Sequence, residues 1–223
     1  MIRINVPSEL KEITLRQYQS YVKVLEQNPT VTQFLKHKTI EIFCGLELRT
    51  IDKLPKSDVD SMYDILINML TQEKREFKQK FKFKGKKFAF HHNMYEGITS
   101  GEYADLCEYM KSEDTWHRGL AVIFRPIDVE LKDGRYLIEK YEGSDKYSGI
   151  MLDLPMDIVL GGVFFFETLF SQLANDILTY LQNQMEINPE WKQSFTKNGD
   201  GTPVSISSVK EALLTLKKSL TLT

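Results

Sequence analysis

The chain states one pattern twice in the same order, and this repetition constrains its fold more than any other feature. Ile13-Thr14-x-x-Gln17-Tyr18 returns as Ile98-Thr99-x-x-Glu102-Tyr103. Ile42-Phe43, at the end of an apolar helical stretch, returns as Ile123-Phe124. Leu54-Pro55-x-x-x-Val59 returns as Leu154-Pro155-x-x-x-Val159. The last pair is displaced further than the first two, so the second copy needs an insertion. Residues 128–143 supply one, reading as an added β-hairpin. Ordered repeats with a long period point to two copies of one supersecondary unit. The expected fold class is α+β, predominantly helical, with two related helical lobes, short strands and two β-hairpins.

The elements follow from local chemistry. Thr14 with Gln17 and Thr99 with Glu102 are capping boxes, in which the hydroxyl accepts from one free amide and the later side chain returns the bond. Behind Thr14, Tyr18, Tyr21, Val22 and Leu25 share a helix face. Val31 to Cys44 is a second helix stopped by Gly45. Pro55 opens a third, burying Val59, Met62, Ile65, Leu66 and Met69. Phe81 and Phe83 alternate with lysines, turn at Gly85 and return through Phe88 and Phe90, a hairpin. After Thr99, Trp116 to Phe124 is a helix stopped by Pro126. Asp133-Gly134 turns the inserted hairpin, with Val129 and Leu131 against Tyr136 and Ile138. Pro155 opens the longest helix, apolar nearly all round at first and so the central buried element. The expected organisation is a first helical unit at 1–76, a basic hairpin connector at 77–97, a second helical unit at 98–190 with the inserted hairpin, and a linker with an amphipathic helix at 191–223.

Composition removes several function classes. Apolar residues at 42% and charged residues at 27% are ordinary globular values. A net charge of −2 exerts no general pull on nucleic acid or anionic membrane. The most apolar run, Ile158 to Phe170, contains Glu167 and is too short and too polar to span a bilayer. Cys44 and Cys107 lack metal-ligand spacing and read as free buried thiols in a reducing compartment, with a disulfide the minority alternative. Phosphate-binding loops, nucleophile elbows and zinc-binding helix motifs do not occur. His91, His92, Glu96 and His117 are the best catalytic candidates, and each reads better as a structural polar residue. Asn198-Gly199-Asp200-Gly201 lacks the later acidic ligands of a calcium loop and reads as a linker. No catalytic residue, metal or cofactor is expected, and the chain reads as a non-enzyme, soluble and intracellular when made.

Two segments are candidates for binding. Lys82, Lys84, Lys86 and Lys87, on an aromatic-interleaved hairpin, are candidate nucleic-acid contacts. The same alternation fits phenylalanines packed inside and lysines outside, which also discourages edge-to-edge pairing. The second reading is favoured, because the rest of the chain is acidic and the hairpin lacks arginines for bidentate readout. In the tail, Ser208 and Glu211 form a third capping box ahead of Val209, Leu213, Leu216 and Leu220, a narrow stripe suited to a partner's groove or to the chain's own lobes.

Ile2-Arg3-Ile4-Asn5-Val6-Pro7, Phe43-Cys44-Gly45-Leu46 and Ile51-Asp52-Lys53-Leu54-Pro55 resemble segments of small assembly proteins of tailed bacteriophages. Ile98-Thr99-Ser100-Gly101-Glu102-Tyr103, Ala121-Val122-Ile123-Phe124-Arg125-Pro126-Ile127, Tyr141-Glu142-Gly143 and Leu154-Pro155-Met156-Asp157 are similar to a phage family of tail, baseplate-hub or virion structural proteins. The resemblance covers about residues 1–185, and its motifs are turns and caps, so it transfers no site. It implies a non-enzymatic role in tail or baseplate assembly, as component or chaperone, with other virion proteins or a second copy as partners, in the host cytoplasm during assembly and, for a component, in the virion. A nucleic-acid-binding accessory protein and an enzyme with a site built across both lobes are the alternatives.

Deleting residues 204–223 is expected to leave a folded, soluble body that no longer enters its complex. Size-exclusion chromatography and co-purification with the partner check this. Unfolding or precipitation of the truncated chain would instead assign the tail helix to the protein's own core.

Overall fold

The structure, a computed structural model, describes residues 4–71, 76–91 and 97–187. The chain divides into a unit of residues 1–162 and a unit of residues 163–223. Both expected hairpins form, and the class is α+β and predominantly helical. The tail box and the stripe of Val209, Leu213, Leu216 and Leu220 lie outside the described residues, as do His92 and Glu96.

A 3-10 turn at Leu10–Glu12 leads into α1 (Leu15–Gln27). Its capping box forms as expected: the Gln17 amide donates to Thr14 Oγ1 and the Thr14 amide to Gln17 Oε1, at 3.3 and 2.9 Å. The buried face is rotated from the expected one. Leu25 is exposed, while Gln19 is buried and donates to the Glu113 carbonyl at 2.6 Å. A polar side chain with a good partner can occupy an interior position that periodicity reserves for apolar ones. α2 (Gln33–Cys44) starts two residues later than expected because Thr32 caps it, and it ends at Gly45 with φ 66°. A short α3 (Leu48–Ile51) precedes α4 (Lys56–Leu70), which buries Val59, Met62, Leu66 and Met69 but leaves Ile65 exposed.

The two hairpins merge. β1 (Lys80–Phe83), β2 (Lys86–Phe90), β3 (Phe124–Glu130) and β4 (Tyr136–Ile138) form one antiparallel sheet in that order. Phe88, Ala89 and Phe90 oppose Pro126, Arg125 and Phe124. Ahead of β3, α5 (Ser100–Tyr109) starts at the Thr99–Glu102 box, and α6 (Trp116–Ile123) runs directly into the strand. Pro126 is therefore a strand residue, and the helix ends at Ile123 because Phe124 turns extended to pair with Phe90. One sheet face carries an aromatic cluster. Phe88 meets Phe81 at 5.7 Å and the Tyr147 ring at 5.8 Å, and Phe124 meets Phe81 at 5.1 Å and Phe90 at 5.4 Å. Edge-to-face pairs at these distances add to the burial of their area.

α7 (Asp145–Met151) and α8 (Met156–Ile187) complete the described chain. From Ile158 to Gly162 every residue of α8 is buried, as the all-round apolar pattern requires. Farther along, Val163 and Phe166 are buried while Phe164 is exposed, so the pattern becomes one-sided. Within the first unit, the opening of α1 meets the opening of α8 through main-chain bonds. Leu15 N donates to Leu154 O, Arg16 N to Leu152 O and Met156 N to Ile13 O, at 3.0, 2.8 and 3.0 Å. Thr14 and Pro155 form the bridge. The reciprocal bridge, Thr99 with Pro55, does not occur among the described residues, so the halves are not equivalent in their mutual contacts.

Gly161 gives a sharp test of this packing. A Cβ there would collide with the main-chain carbonyl of Glu76, which a side-chain rotation cannot relieve. Gly161→Ala is expected to cost about 1–3 kcal/mol despite the better helix propensity of alanine. Gly149 in α7 has open space around its Cβ position, and Gly149→Ala is expected to gain about 0.5–1 kcal/mol. Urea denaturation of the two variants measures both signs.

Candidate interaction surface

Two of the four expected nucleic-acid contacts, Lys84 and Lys87, are engaged by the protein's own carboxylates. Lys87 and Lys80 both pair with Glu130, at 2.9 and 3.0 Å. Lys84 pairs with Asp153, which also holds Arg16 at 3.1 Å, and Lys78 pairs with Asp157. The Lys86 amine lies 5.2 Å from the centre of the Tyr147 ring. Among the described residues Lys82 makes no ion pair. The bond from Lys87, followed by that from Lys80, holds the Glu130 carboxyl below its usual range. Lys84 does the same for Asp153. Each exposed pair contributes little to stability. Together they cancel much of the hairpin's positive field, which phosphate binding would need.

This pairing depends on an irregularity in β3. Ile127 opposes Ile138, but the next pair is Val129 with Leu137, so one extra residue bulges between them. A bulge exchanges which side chains face which side of the sheet. Glu130, opposite Tyr136, thereby reaches the face that carries Lys80 and Lys87. The expected packing of Val129 and Leu131 against Tyr136 and Ile138 is therefore corrected. Val129, Leu131 and Leu137 are 44%, 46% and 59% exposed, while Tyr136 is buried and donates to the Phe90 carbonyl at 2.9 Å. A cleft of about 570 Å³ at the hairpin is lined by Gln79, Leu131, Asp133, Arg135, Tyr136 and Leu137 among others. An apolar patch on a sheet edge, with charged groups at its rim, is a surface for binding another chain.

The interior holds a polar network that periodicity does not reveal. Glu102, the return residue of the second capping box, forms an ion pair with Arg125 at 2.8 Å, their side chains 3% and 5% exposed. It also accepts from the Thr99 amide at 2.7 Å. Burial pushes the Glu102 carboxyl up, but the Thr99 bonds and the Arg125 charge outweigh it and leave the group below its usual range. The Arg125 guanidinium lies 5.7 Å from the Tyr141 ring centre, and Tyr141 donates to Asp105. Burial and then the Asp105 carboxylate push the Tyr141 phenol up. Enclosed ion pairs of this kind fix one element against another, here α5 against β3. Arg125 stands in the sequence beside Pro126 without periodicity or a motif to mark it, and only its place opposite Ala89 shows that it is interior.

The remaining candidates have structural surroundings. His91 is buried at the end of β2, where its amide donates to the Ile123 carbonyl. His117 Nδ1 lies 3.3 Å from Gln19 Nε2, and burial lowers its basicity. Cys44 and Cys107 are free thiols but half-buried, not buried as expected, and burial pushes Cys44 up to about 11. Among the described residues no group of three or more His, Cys, Asp or Glu side chains is placed to hold a metal ion, and no helix is long and apolar enough to cross a membrane.

Arg125→Ala strands the Glu102 carboxylate in the interior and is expected to cost about 3–5 kcal/mol. Adding Glu102→Gln should recover part of that loss, a coupling that a double-mutant cycle reads directly. Because the Glu102 pKa is lowered on folding, its stabilisation is complete above the unfolded value of about 4.3 and is lost as pH falls through the folded value. Glu102→Gln is therefore expected to flatten the acid limb of the stability profile.

No protein family matches the chain, and no curated protein or solved structure matches it.

Proposed function

We propose that this chain is a non-enzymatic protein of tailed-bacteriophage virion assembly, acting by protein–protein contact in the tail or baseplate. The observation that carries the proposal is the exposed apolar hairpin of Val129, Leu131 and Leu137 on the edge of a sheet in which Lys80, Lys87 and Arg125 are paired internally. Isolated exposed apolar side chains are ordinary, but three together on one hairpin at a sheet edge favour a macromolecular partner. The resemblance of residues 1–185 to phage tail and baseplate-hub proteins supplies the setting. In that setting the protein is made in the host cytoplasm and contacts other virion proteins, either as a component or as an assembly helper. The ion-paired lysines weigh against the nucleic-acid alternative.

The test is complementation of the virus that encodes the chain with the Val129→Lys/Leu137→Lys variant. Loss of complete tailed particles, with the variant protein still folded by circular dichroism, is the expected result. Normal yields of complete particles would overturn the proposal. Salt-dependent DNA binding abolished by Lys82→Ser with Lys84→Ser, Lys86→Ser and Lys87→Ser would favour the nucleic-acid reading instead.

A further inference from the structure

The β4 edge is self-complementary, and the geometry points to a second copy of this chain as its occupant. The inference rests on reading the hairpin as an interaction surface and names its partner. We propose an antiparallel β4–β4 pairing about a twofold axis through Leu137. Leu131 N donates to the Arg135 carbonyl and Glu139 N to the Pro126 carbonyl. Positions 135, 137 and 139 thus turn their main chain toward β3, and positions 136 and 138 turn theirs toward the edge. Of the twofold registers that keep this alternation, three are centred within β4, on Tyr136, Leu137 or Ile138.

Charge selects among them. Centring on Tyr136 sets Glu139 of one copy opposite Asp133 of the other, two like charges. Centring on Ile138 sets Leu137 opposite Glu139. Centring on Leu137 sets the two Leu137 side chains against each other across the axis and Arg135 opposite Glu139, twice by symmetry. Lys132 then falls opposite Glu142, also twice. Opposite charges across a strand pair stabilise it and like charges oppose it. The Arg135 side chain is 79% exposed and holds Asp133 with only part of its donor fork. Glu139 already accepts from Tyr147 and Lys146, and a carboxylate has lone pairs for a further donor. The opposite edge, β1, presents Lys80 and Lys82 and resists pairing. Association therefore closes at a dimer, with the same patch used by both copies.

Sedimentation velocity of the full chain over a concentration series reads the dimer. Arg135→Glu, which sets two like-charge pairs across the axis, is expected to weaken association about tenfold. Leu137→Cys gives a second measurement. Across the axis a non-hydrogen-bonded pair has Cα atoms about 4.5 Å apart, within disulfide range, so this variant is expected to cross-link on oxidation. Val129→Cys, on the same patch but off the axis, and the parent chain with Cys44 and Cys107 are expected not to. A monomer at every concentration, or cross-linking through Val129→Cys as readily as through Leu137→Cys, would overturn the pairing. A monomer whose hairpin variants still block particle assembly removes the self-pairing and leaves the assembly role. A dimer whose hairpin variants assemble normally does the reverse.

Discussion

Phe88, Ala89 and Phe90 pair with Pro126, Arg125 and Phe124, and most of what defines the molecule follows from this contact between β2 and β3. It fuses two hairpins, distant in sequence, into one sheet. It brings Phe124 into the aromatic cluster with Phe81 and Phe90. It places Arg125 on the face where Glu102 of α5 meets it, and it brings Glu130 within reach of Lys80 and Lys87. Such a pairing carries a loop-closure cost before it returns any contact, so the aromatic burial that accompanies it supplies the compensating stabilisation.

The capping boxes show how one local motif takes on two tertiary tasks. In the first, Gln17 Oε1 accepts from Thr14 N while Gln17 Nε2 donates to the Ile42 carbonyl at the end of α2. In the second, Glu102 accepts from Thr99 N and also holds Arg125, just past the end of α6. A carbonyl needs a donor and a guanidinium needs an acceptor, so glutamine serves the first box and glutamate the second. Gln17 reaches the segment Ile42-Phe43 itself, whereas Glu102 reaches Arg125, the residue after Ile123-Phe124. The halves share a helix order but not the bridge between Thr14 and Pro155, which occurs on one side only among the described residues.

The sheet has two unlike edges. β1 presents lysines, partly neutralised from β3 and from the turn before α8. β4 is short and carries exposed Leu137 beside Val129. A charged edge blocks strand addition and an apolar one invites it, so contact with another chain is directed to one side.

The features legible in the residues alone are those that neighbours along the chain control. The threonine boxes, the glycine stop after α2, the proline start of α4 and the turns at Gly85 and Gly134 are satisfied within a few residues, and each is where the pattern places it. The alternation of Phe81 and Phe83 with lysines marks a strand for the same reason. The remaining features arise from long-range packing. That the hairpins share one sheet, that Pro126 lies in a strand, and that Gln19, Glu102 and Arg125 are interior all depend on partners far along the chain. The bulge in β3 has no local signature. Yet its single extra residue puts Glu130 among the lysines and turns Val129 to the face of Leu137, because side chains alternate along a strand and an insertion of one reverses them.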